Sequence, residues 1–458
     1  MFDFAVTQDV KALRETFRRK DLSLYFLGIG GVGMSALAEH FHLHGAIVAG
    51  CDRAESECTR RLRAMGIPIT VGQGSIPRGT HAVIYTLAFP VDSAELKEAG
   101  ELGIRAFPRP VALGALMTEY KNRIGVCGTH GKSSTVAMLS GIYSHLEMDA
   151  TVISGADLGG GSSYLGGGPD TLIYEACEYR DAFLSFSPTS TVITGVELDH
   201  TDYFPDLSSL LRSFGRVADS TSGRVIINID DSGAATLVGA KDKYITVGKN
   251  HTAKYRYLPS GDGTASFRLY RGEDCLGEVK SPLIGEFFAT DMALAAACAI
   301  EEGLPPDGAL HALSKYRGTH RRLQRIAEYR GIPVFYDYAH HPTEMRAVIG
   351  ALRARFGRVT VVFCPHTYTR TSSLWDGFVS SLRGASSSII LDVFAAREEP
   401  IPGVDSPSLA KAVGEGSHYL ADGDVLGFIS TLKQDVIVFM GAGNMDMLIK
   451  EVMESRDK

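Results

Sequence analysis

From residue 22 the chain alternates apolar runs with amphipathic stretches: LSLYFLGIG, then GVGMSALAEHFHLHG, then AIVAGCD. The alternation continues through HAVIYTLA and GIRAFPRP, the rhythm of βαβ units wound around a parallel sheet. It stops in the polar stretch 119–123 and restarts with RIGVCGTHGKSSTVAMLSGIY, followed by TLIYEA, STVITGV and GRVIINID. Next, KYRYLPSGDGTASFRLYRGEDCLGEVK breaks into short alternating runs split by Gly and Asp, which predicts hairpins added to this second unit. The helix-like run ATDMALAAACAIEEG follows. After YRGTHRRLQ a third series appears, in which IPVFYDYAHHP, RVTVVFCPH, SSIILDVF and DVIVFMGAG alternate with helical segments. The pattern predicts an α/β protein of three domains, at residues 1–122, 123–317 and 318–458.

Length agrees, since 458 residues at about 150 per domain make three. The formal charge of −7, from 46 Lys and Arg against 53 Asp and Glu, provides no global basic field. Nucleic acid is therefore not an expected partner, and any phosphate binding is local. The 7 cysteines are scattered without CxxC spacing, which suggests neither a disulfide framework nor a thiolate zinc site and fits a reducing cytoplasm. Asp3 and Asp9 precede any basic residue, which argues against a signal peptide. The apolar run 289–300 is short and contains Asp291, so it predicts a buried helix, and no membrane association is expected. Glycine is in excess: 50 residues, about 11% against an average of about 7%. They bunch at residues 28–33, 125–131 and 155–168.

Gly28, Gly30 and Gly33 form GxGxxG between a predicted strand and helix, and Asp52 ends the next strand. Glycines let the backbone turn tightly and approach a phosphate at a helix amino terminus, while a carboxylate such as Asp52 accepts from a ribose hydroxyl or another donor of the nucleotide. The spacing alone favours a dinucleotide cofactor and a nicotinamide-dependent oxidoreductase. The second cluster speaks against that. GVCGTHGKSST, at 125–135, places Gly125, Gly128, Thr129, His130 and Gly131 before Lys132, Ser133 and Ser134 where a strand becomes a helix. Its backbone N–H groups would cradle phosphates, with Lys132 on the β/γ side and Ser133 on Mg²⁺. Two loops in separate domains imply two phosphorylated ligands.

TLIYEA delivers Glu175, and STVITGVELDH is expected to end a strand at Asp199 and His200, at the same sheet edge as the loop. A carboxylate and an imidazole there would hold a second divalent ion bridging the γ-phosphate and an acceptor. His40, His42 and His44 are expected to splay around a helix and receive no role. In the third domain, Arg322 and Arg370 suit a small carboxylate, and Asp337 and His340, at a strand end, suit a nucleotide or reacting group across a cleft.

The segments GIGGVGMSALAE, GTHGKSS, EACEYR, ELDHTDYF, HRRLQ, DYAHHPTE, PHTYTRT and FMGAG stand in the order in which Mur ligases carry them. The chain resembles that family over residues 22–446, and within it the branch that adds L-alanine to UDP-N-acetylmuramate in peptidoglycan precursor synthesis. The resemblance implies a Rossmann-like first domain, a central P-loop ATPase-like domain with added β-hairpins, and a Rossmann-like third domain that closes on both. It implies ATP with two Mg²⁺ ions, or Mn²⁺ in their place, and an acyl-phosphate route to the amide. Gly28, Gly30, Gly31, Gly33 and Asp52 would serve the uridine nucleotide sugar. Gly125, Gly128, Thr129, His130, Gly131, Lys132, Ser133 and Ser134 would serve ATP, joined by Asp291 and Asp337, with Ser133, Glu175 and His200 on metal. Lys132, His200, Arg322, His340 and Arg370 would lie at the reacting groups. Phe288, Asp291 and Gly195 stand where the family usually has Asn, and an ionised Asp291 accepts a hydrogen bond but donates none. Two other readings are a ligase that joins a whole tripeptide to the same sugar nucleotide, and a weakened paralogue that binds nucleotides as a regulatory module.

Overall fold

The computed structural model describes residues 2–90, 92–240, 242–396, 398–421, 425–443 and 445–454, with the backbone alone for 2–7 and 446. Its strands form three sheets. The first comprises β1 (Ser23–Leu27), β2 (Ile47–Asp52), β3 (Ile69–Val71), β4 (Ala82–Tyr85) and β5 (Ala106–Pro108). All pairs are parallel, in the order β3-β2-β1-β4-β5. The winding direction reverses at β1, and its carboxyl end opens the crevice where such sheets bind ligands. A helix, Phe2–Phe17, precedes this sheet; the alternation that begins at residue 22 gives no sign of it.

The second sheet contains β6 (Asn122–Cys127), β7 (Thr151–Ile153), β8 (Tyr164–Leu165), β9 (Thr171–Glu175), β10 (Ser190–Ile193), β11 (Arg224–Asn228), β12 (Tyr244–Gly248), β13 (Tyr255–Pro259), β14 (Phe267–Arg271) and β15 (Asp274–Val279). Its order is β15-β14-β13-β12-β11-β10-β6-β9-β7-β8. The expected hairpins are the antiparallel run β13-β14-β15, joined to the parallel core through a β12–β13 pair. The alanine-rich segment forms the helix Phe287–Glu301, buried from Met292 to Ile300. It packs on the helix Lys132–His145, and its small residues allow both close approach and a continuous apolar face.

The third sheet holds β16 (Gln324–Tyr329), β17 (Ile332–Asp337), β18 (Val359–Phe363), β19 (Ser387–Ile390), β20 (Ser417–Tyr419) and β21 (Val436–Met440). Its order is β16-β17-β21-β18-β19-β20, parallel except for the β16–β17 hairpin. Apolar packing runs without a break from Ile124 of the second sheet to Val438 of the third. No helix among the described residues is long and apolar enough to cross a membrane.

Candidate active site

At the end of β1, Gly28 adopts φ 79°, and a Cβ there would lie 2.7 Å from Thr86 Cγ2, so the turn admits only glycine. Gly31 caps the helix Val32–Leu43. Gly30 N–H donates to Asp52 Oδ2 at 2.8 Å, and Ala54 N–H reaches Oδ1 at 3.4 Å. Asp52 therefore fixes the loop through its own backbone. A Cβ on Gly33 would meet Arg109 Nη1 at 3.1 Å. Arg109 makes no hydrogen bond or ion pair among the described residues; burial lowers its pKa, while Cys177 and Glu175 oppose that. A guanidinium without a partner among the described residues can take an anion; FPRPVALGALM reads only as a strand followed by an apolar helix, which hides it in the sequence.

The second loop runs from β6 into the helix Lys132–His145, whose N-cap Gly131 sits at φ 78° with Asp291 directly behind it. β6 lies between β10 and β9, and Glu175 pairs in register with Val126, just ahead of the loop. Ser133 Oγ donates to Glu175 Oε2 at 2.7 Å, and Gly155 N–H donates to the same oxygen at 3.0 Å. Lys132 Nζ lies 3.1 Å from Glu178 Oε1. Burial alone would lower the Lys132 pKa, but Glu178 outweighs it and keeps the ammonium charged. His200 Nε2 is 3.7 Å from the same Glu178 oxygen, whereas Glu178 Oε2 is buried without a partner. The orphaned Glu178 oxygen and, separately, the Ser133–Glu175 pair offer hard oxygen donors of the kind that magnesium takes, while Glu175, Glu178 and His200 do not converge on one point among the described residues.

Asp199 and His200 are not at a strand end. β10 stops at Ile193, and both residues belong to the loop after it, with His200 at φ 53°. The apolar pattern of STVITGV extends past the last ladder residue, which hid the loop. No hydrogen bond or ion pair joins Glu175 to His200 among the described residues; Glu178, which the sequence reading did not single out, stands between Lys132 and His200. His40 and His44 do meet, stacked at 4.1 Å four residues apart, and His40 Nδ1 contacts Tyr164 Oη at 3.2 Å. That packing is structural and remote from the loop.

From the third domain, Arg322 Nη2 donates to Ser133 Oγ at 3.3 Å and its guanidinium lies over the Tyr338 ring. Arg370 grips Asp199 through Nε and Nη2 at 3.2–3.3 Å. Burial would raise the Asp199 pKa, but Arg370 holds it well below the carboxylate range. Asp337 at the end of β17 accepts from Leu323 N–H at 2.6 Å and Ala339 N–H at 2.7 Å, and burial lifts its pKa to about 6. His340 Nδ1 contacts the Tyr338 carbonyl at 2.9 Å, which makes Nδ1 the protonated nitrogen and leaves the lone pair on Nε2; burial lowers its pKa to about 4.

Two cavities result. One, of about 250 Å³, is bounded by His130, Gly131, Phe287, Phe288, Asp291 and Asp337 among others. The other, of about 630 Å³, lies between Asp199 and His200 on one side and His340, His366, Arg370 and Glu398 on the other. Arg180, His200, Thr367 and Ala396 line it with positive φ. Left-handed backbone at several non-glycine positions marks a site whose shape is fixed by its surroundings. Glu398 is a further residue missed in the sequence, and it holds Thr369 N–H at 2.8 Å.

Three family models match the chain in order: the Mur ligase family, catalytic domain, at residues 23–121; the Mur ligase middle domain at 126–299; and the Mur ligase, glutamate ligase domain, at 321–443. The UDP-N-acetylmuramate--L-alanine ligase of Caldicellulosiruptor bescii is 34% identical over 450 residues, covering 94% of this chain and 98% of its own. The chain belongs to the Mur ligase family. The protein of the same name from Solibacter usitatus is 34% identical over 459 residues, 96% and 97% of the two chains. The structure of UDP-N-acetylmuramate-alanine ligase from Thermotoga maritima superposes with a TM-score of 0.80 at 25% identity, over 94% of this chain and 98% of that one. A murein peptide ligase from Psychrobacter arcticus shares the fold, with a TM-score of 0.70 at 20% identity.

In this Mur ligase, the surroundings of Asp291 decide what its carboxyl can do. Asp291 is buried on the helix Phe287–Glu301, and burial raises its pKa to about 8 against the pull of Arg322 and His130. Burial thus favours the protonated carboxyl towards neutral pH, and a protonated carboxyl can donate, as an amide does. Phe287 and Phe288, ring centroids 4.6 Å apart, form an aromatic wall of the same cavity.

Proposed function

We infer that the protein is an ATP-dependent ligase that joins L-alanine to UDP-N-acetylmuramate, acting in the cytoplasm on peptidoglycan precursors. The observation that carries this reading is the near full-length similarity to ligases of that name, which covers all three domains. The site chemistry supports it. The uridine nucleotide sugar is assigned to Gly28, Gly30, Gly31, Gly33 and Asp52, with Arg109 on an anionic group. ATP is assigned to the loop 125–134 through its backbone and the side chains of Lys132, Ser133 and Ser134, the His130 ring being turned to Glu197 and Glu344, with its base in the cavity of Phe287, Phe288 and Asp291, and Asp337 at the same cavity. L-alanine is assigned to the larger cleft.

In the reaction, a carboxylate oxygen of the sugar nucleotide attacks the γ-phosphorus of ATP, the bond to the bridging oxygen breaks, and ADP leaves. The amine of L-alanine then attacks the acyl carbon, its proton is lost, and orthophosphate departs as the amide forms. Lys132 stays charged against the transferred phosphoryl group. Ser133, Glu175 and His200 would hold magnesium, which would supply charge neutralisation when bound. Arg322 reaches the phosphate loop from the third domain, and Arg370, fixed by Asp199, orients the amino acid carboxylate. His340 is neutral, and its Nε2 lone pair is available for the amine proton. Docking of the third domain excludes water from an intermediate that water would hydrolyse.

The test is turnover of the purified protein with UDP-N-acetylmuramate, ATP, Mg²⁺ and either L-alanine or the tripeptide. L-alanine-dependent phosphate release supports the reading; release with the tripeptide alone replaces it with the recycling reaction.

A further inference from the structure

His130 lies inside the phosphate loop, yet its ring is turned to two carboxylates. Nδ1 is 2.9 Å from Glu344 Oε1, on the third domain's helix Pro342–Phe356, and Nε2 is 3.1 Å from Glu197 Oε2, in the central loop after β10. A carboxylate accepts and does not donate, so two short contacts on opposite ring nitrogens require both to carry hydrogen. Burial lowers the pKa of the ring, but Glu344 and Glu197 outweigh it and raise it to about 9. The two anions are themselves tied to the opposite domain or to the cleft. Thr343 Oγ1 donates to Glu197 Oε1 at 2.7 Å, and Glu344 Oε2 accepts from His340 N–H at 3.1 Å. The His341 ring lies 4.9 Å away, with its Nδ1 3.8 Å from the same Glu197 oxygen, and Asp291 is also near His130.

We propose that His130 is a positioning residue that straps the third domain to the phosphate loop as an imidazolium bridge between Glu197 and Glu344. What the strap serves rests on the ligase reading; the strap itself rests on geometry alone. The larger cleft is assembled from Asp199 and His200 on the central domain and His340, His366 and Arg370 on the third, so it exists only while the two are docked. A bridge anchored in the phosphate loop makes docking depend on that loop's conformation, and the chain His130–Glu344–His340 carries the dependence into the cleft. The competing use of these groups is metal binding, because His130, Glu197 and His341 bring ligand atoms within 4.8 Å of one another. A metal on His130 would occupy a ring nitrogen that here faces a carboxylate.

The experiment compares wild type, His130→Ala, Glu344→Gln, Glu197→Gln and the double variant His130→Ala/Glu344→Gln, each checked for folding by thermal denaturation. Small-angle scattering with ADP and Mg²⁺ reads domain separation without any reaction. Steady-state kinetics read KM for each substrate. The proposal expects a larger radius of gyration in each single variant and a KM for the amino acid raised about tenfold, the worth of one hydrogen bond to a charged group. It expects KM for ATP to change less, and the double variant to be no worse than either of its parents. Unchanged scattering with a raised KM for ATP would overturn it and make His130 a nucleotide ligand. Stoichiometric binding of Zn²⁺ to wild type, lost in His341→Ala, would overturn it in favour of a metal site. Wild type that turns over with no acceptor would count against the ligase reading and leave the scattering result standing.

Discussion

Lys132 Nζ rests 3.1 Å from Glu178 Oε1, and that carboxylate is only 2% exposed. Before ATP arrives, the lysine of the phosphate loop thus has a counter-charge that neither the loop nor its spacing reveals. Removing one member of a buried pair leaves the other uncompensated, at a cost of about 3–5 kcal/mol. Glu178→Ala is expected to lose stability in that range in chemical denaturation. Addition of ATP and Mg²⁺ is expected to restore part of it, because the triphosphate takes over as counter-charge. No recovery on adding nucleotide would show that Lys132 does not reach the phosphates. Lys132→Met is expected to lower kcat by about two to three orders of magnitude, the usual loss for one stabilising group at the transferring centre.

Asp291 makes stability depend on pH in a way Asn would not. Its folded pKa, about 8, lies above the ordinary 3.8 because burial disfavours the anion. The favourable contribution of the neutral form is complete below pH 3.8 and is lost as pH rises towards 8, since the unfolded chain releases this proton first. Asp291→Asn is expected to change the melting temperature little near pH 4 and to raise it, relative to wild type, increasingly up to pH 8. A pH-independent difference would mean that the carboxyl is ionised in the fold. The variant should also widen the alkaline range of ATP binding without lowering activity at neutral pH.

Arg109 is the residue with the clearest unspent charge. Arg109→Ala is expected to raise KM for the sugar nucleotide about 10- to 100-fold while KM for ATP stays within about twofold, as for a charged hydrogen bond to one ligand. Arg109→Lys should recover part of the loss, because a point charge replaces a planar fork. Equal effects on both substrates would place Arg109 in the scaffold.

Much of this was legible in the chain. Alternating apolar runs predict the strands that make three sheets, and the two glycine loops fall at β1 and β6 as their strand-to-helix context requires. What escaped was set by tertiary placement. Glu178, Glu344, Glu197 and Glu398 are ordinary acidic residues until the fold brings each against a lysine, histidine or hydroxyl from elsewhere. Asp199 and His200 look like a strand end in the sequence because apolar residues continue beyond Ile193 with no ladder partner. Asp291 looked like a lost donor because the consequence of burial for its proton cannot be seen in a string of letters.

Arg370 reaches across the domain boundary to Asp199 with a fork that lysine cannot reproduce. Arg370→Lys is expected to lower kcat/KM for the amino acid about 10- to 100-fold with KM for ATP nearly unchanged, measured by coupled ADP release. A matching rise in KM for ATP would place Arg370 with the nucleotide instead of the amino acid.

The central claim is that one chain couples ATP cleavage to joining an amino acid to a nucleotide sugar. Mass-spectrometric detection of product from UDP-N-acetylmuramate, L-alanine, ATP and Mg²⁺, with omission of each in turn, tests it directly. UDP-N-acetylmuramoyl-L-alanine, with stoichiometric ADP and phosphate, is expected only when all four are present. ADP released at an equal rate without the sugar nucleotide and L-alanine, with no amide formed, would contradict it.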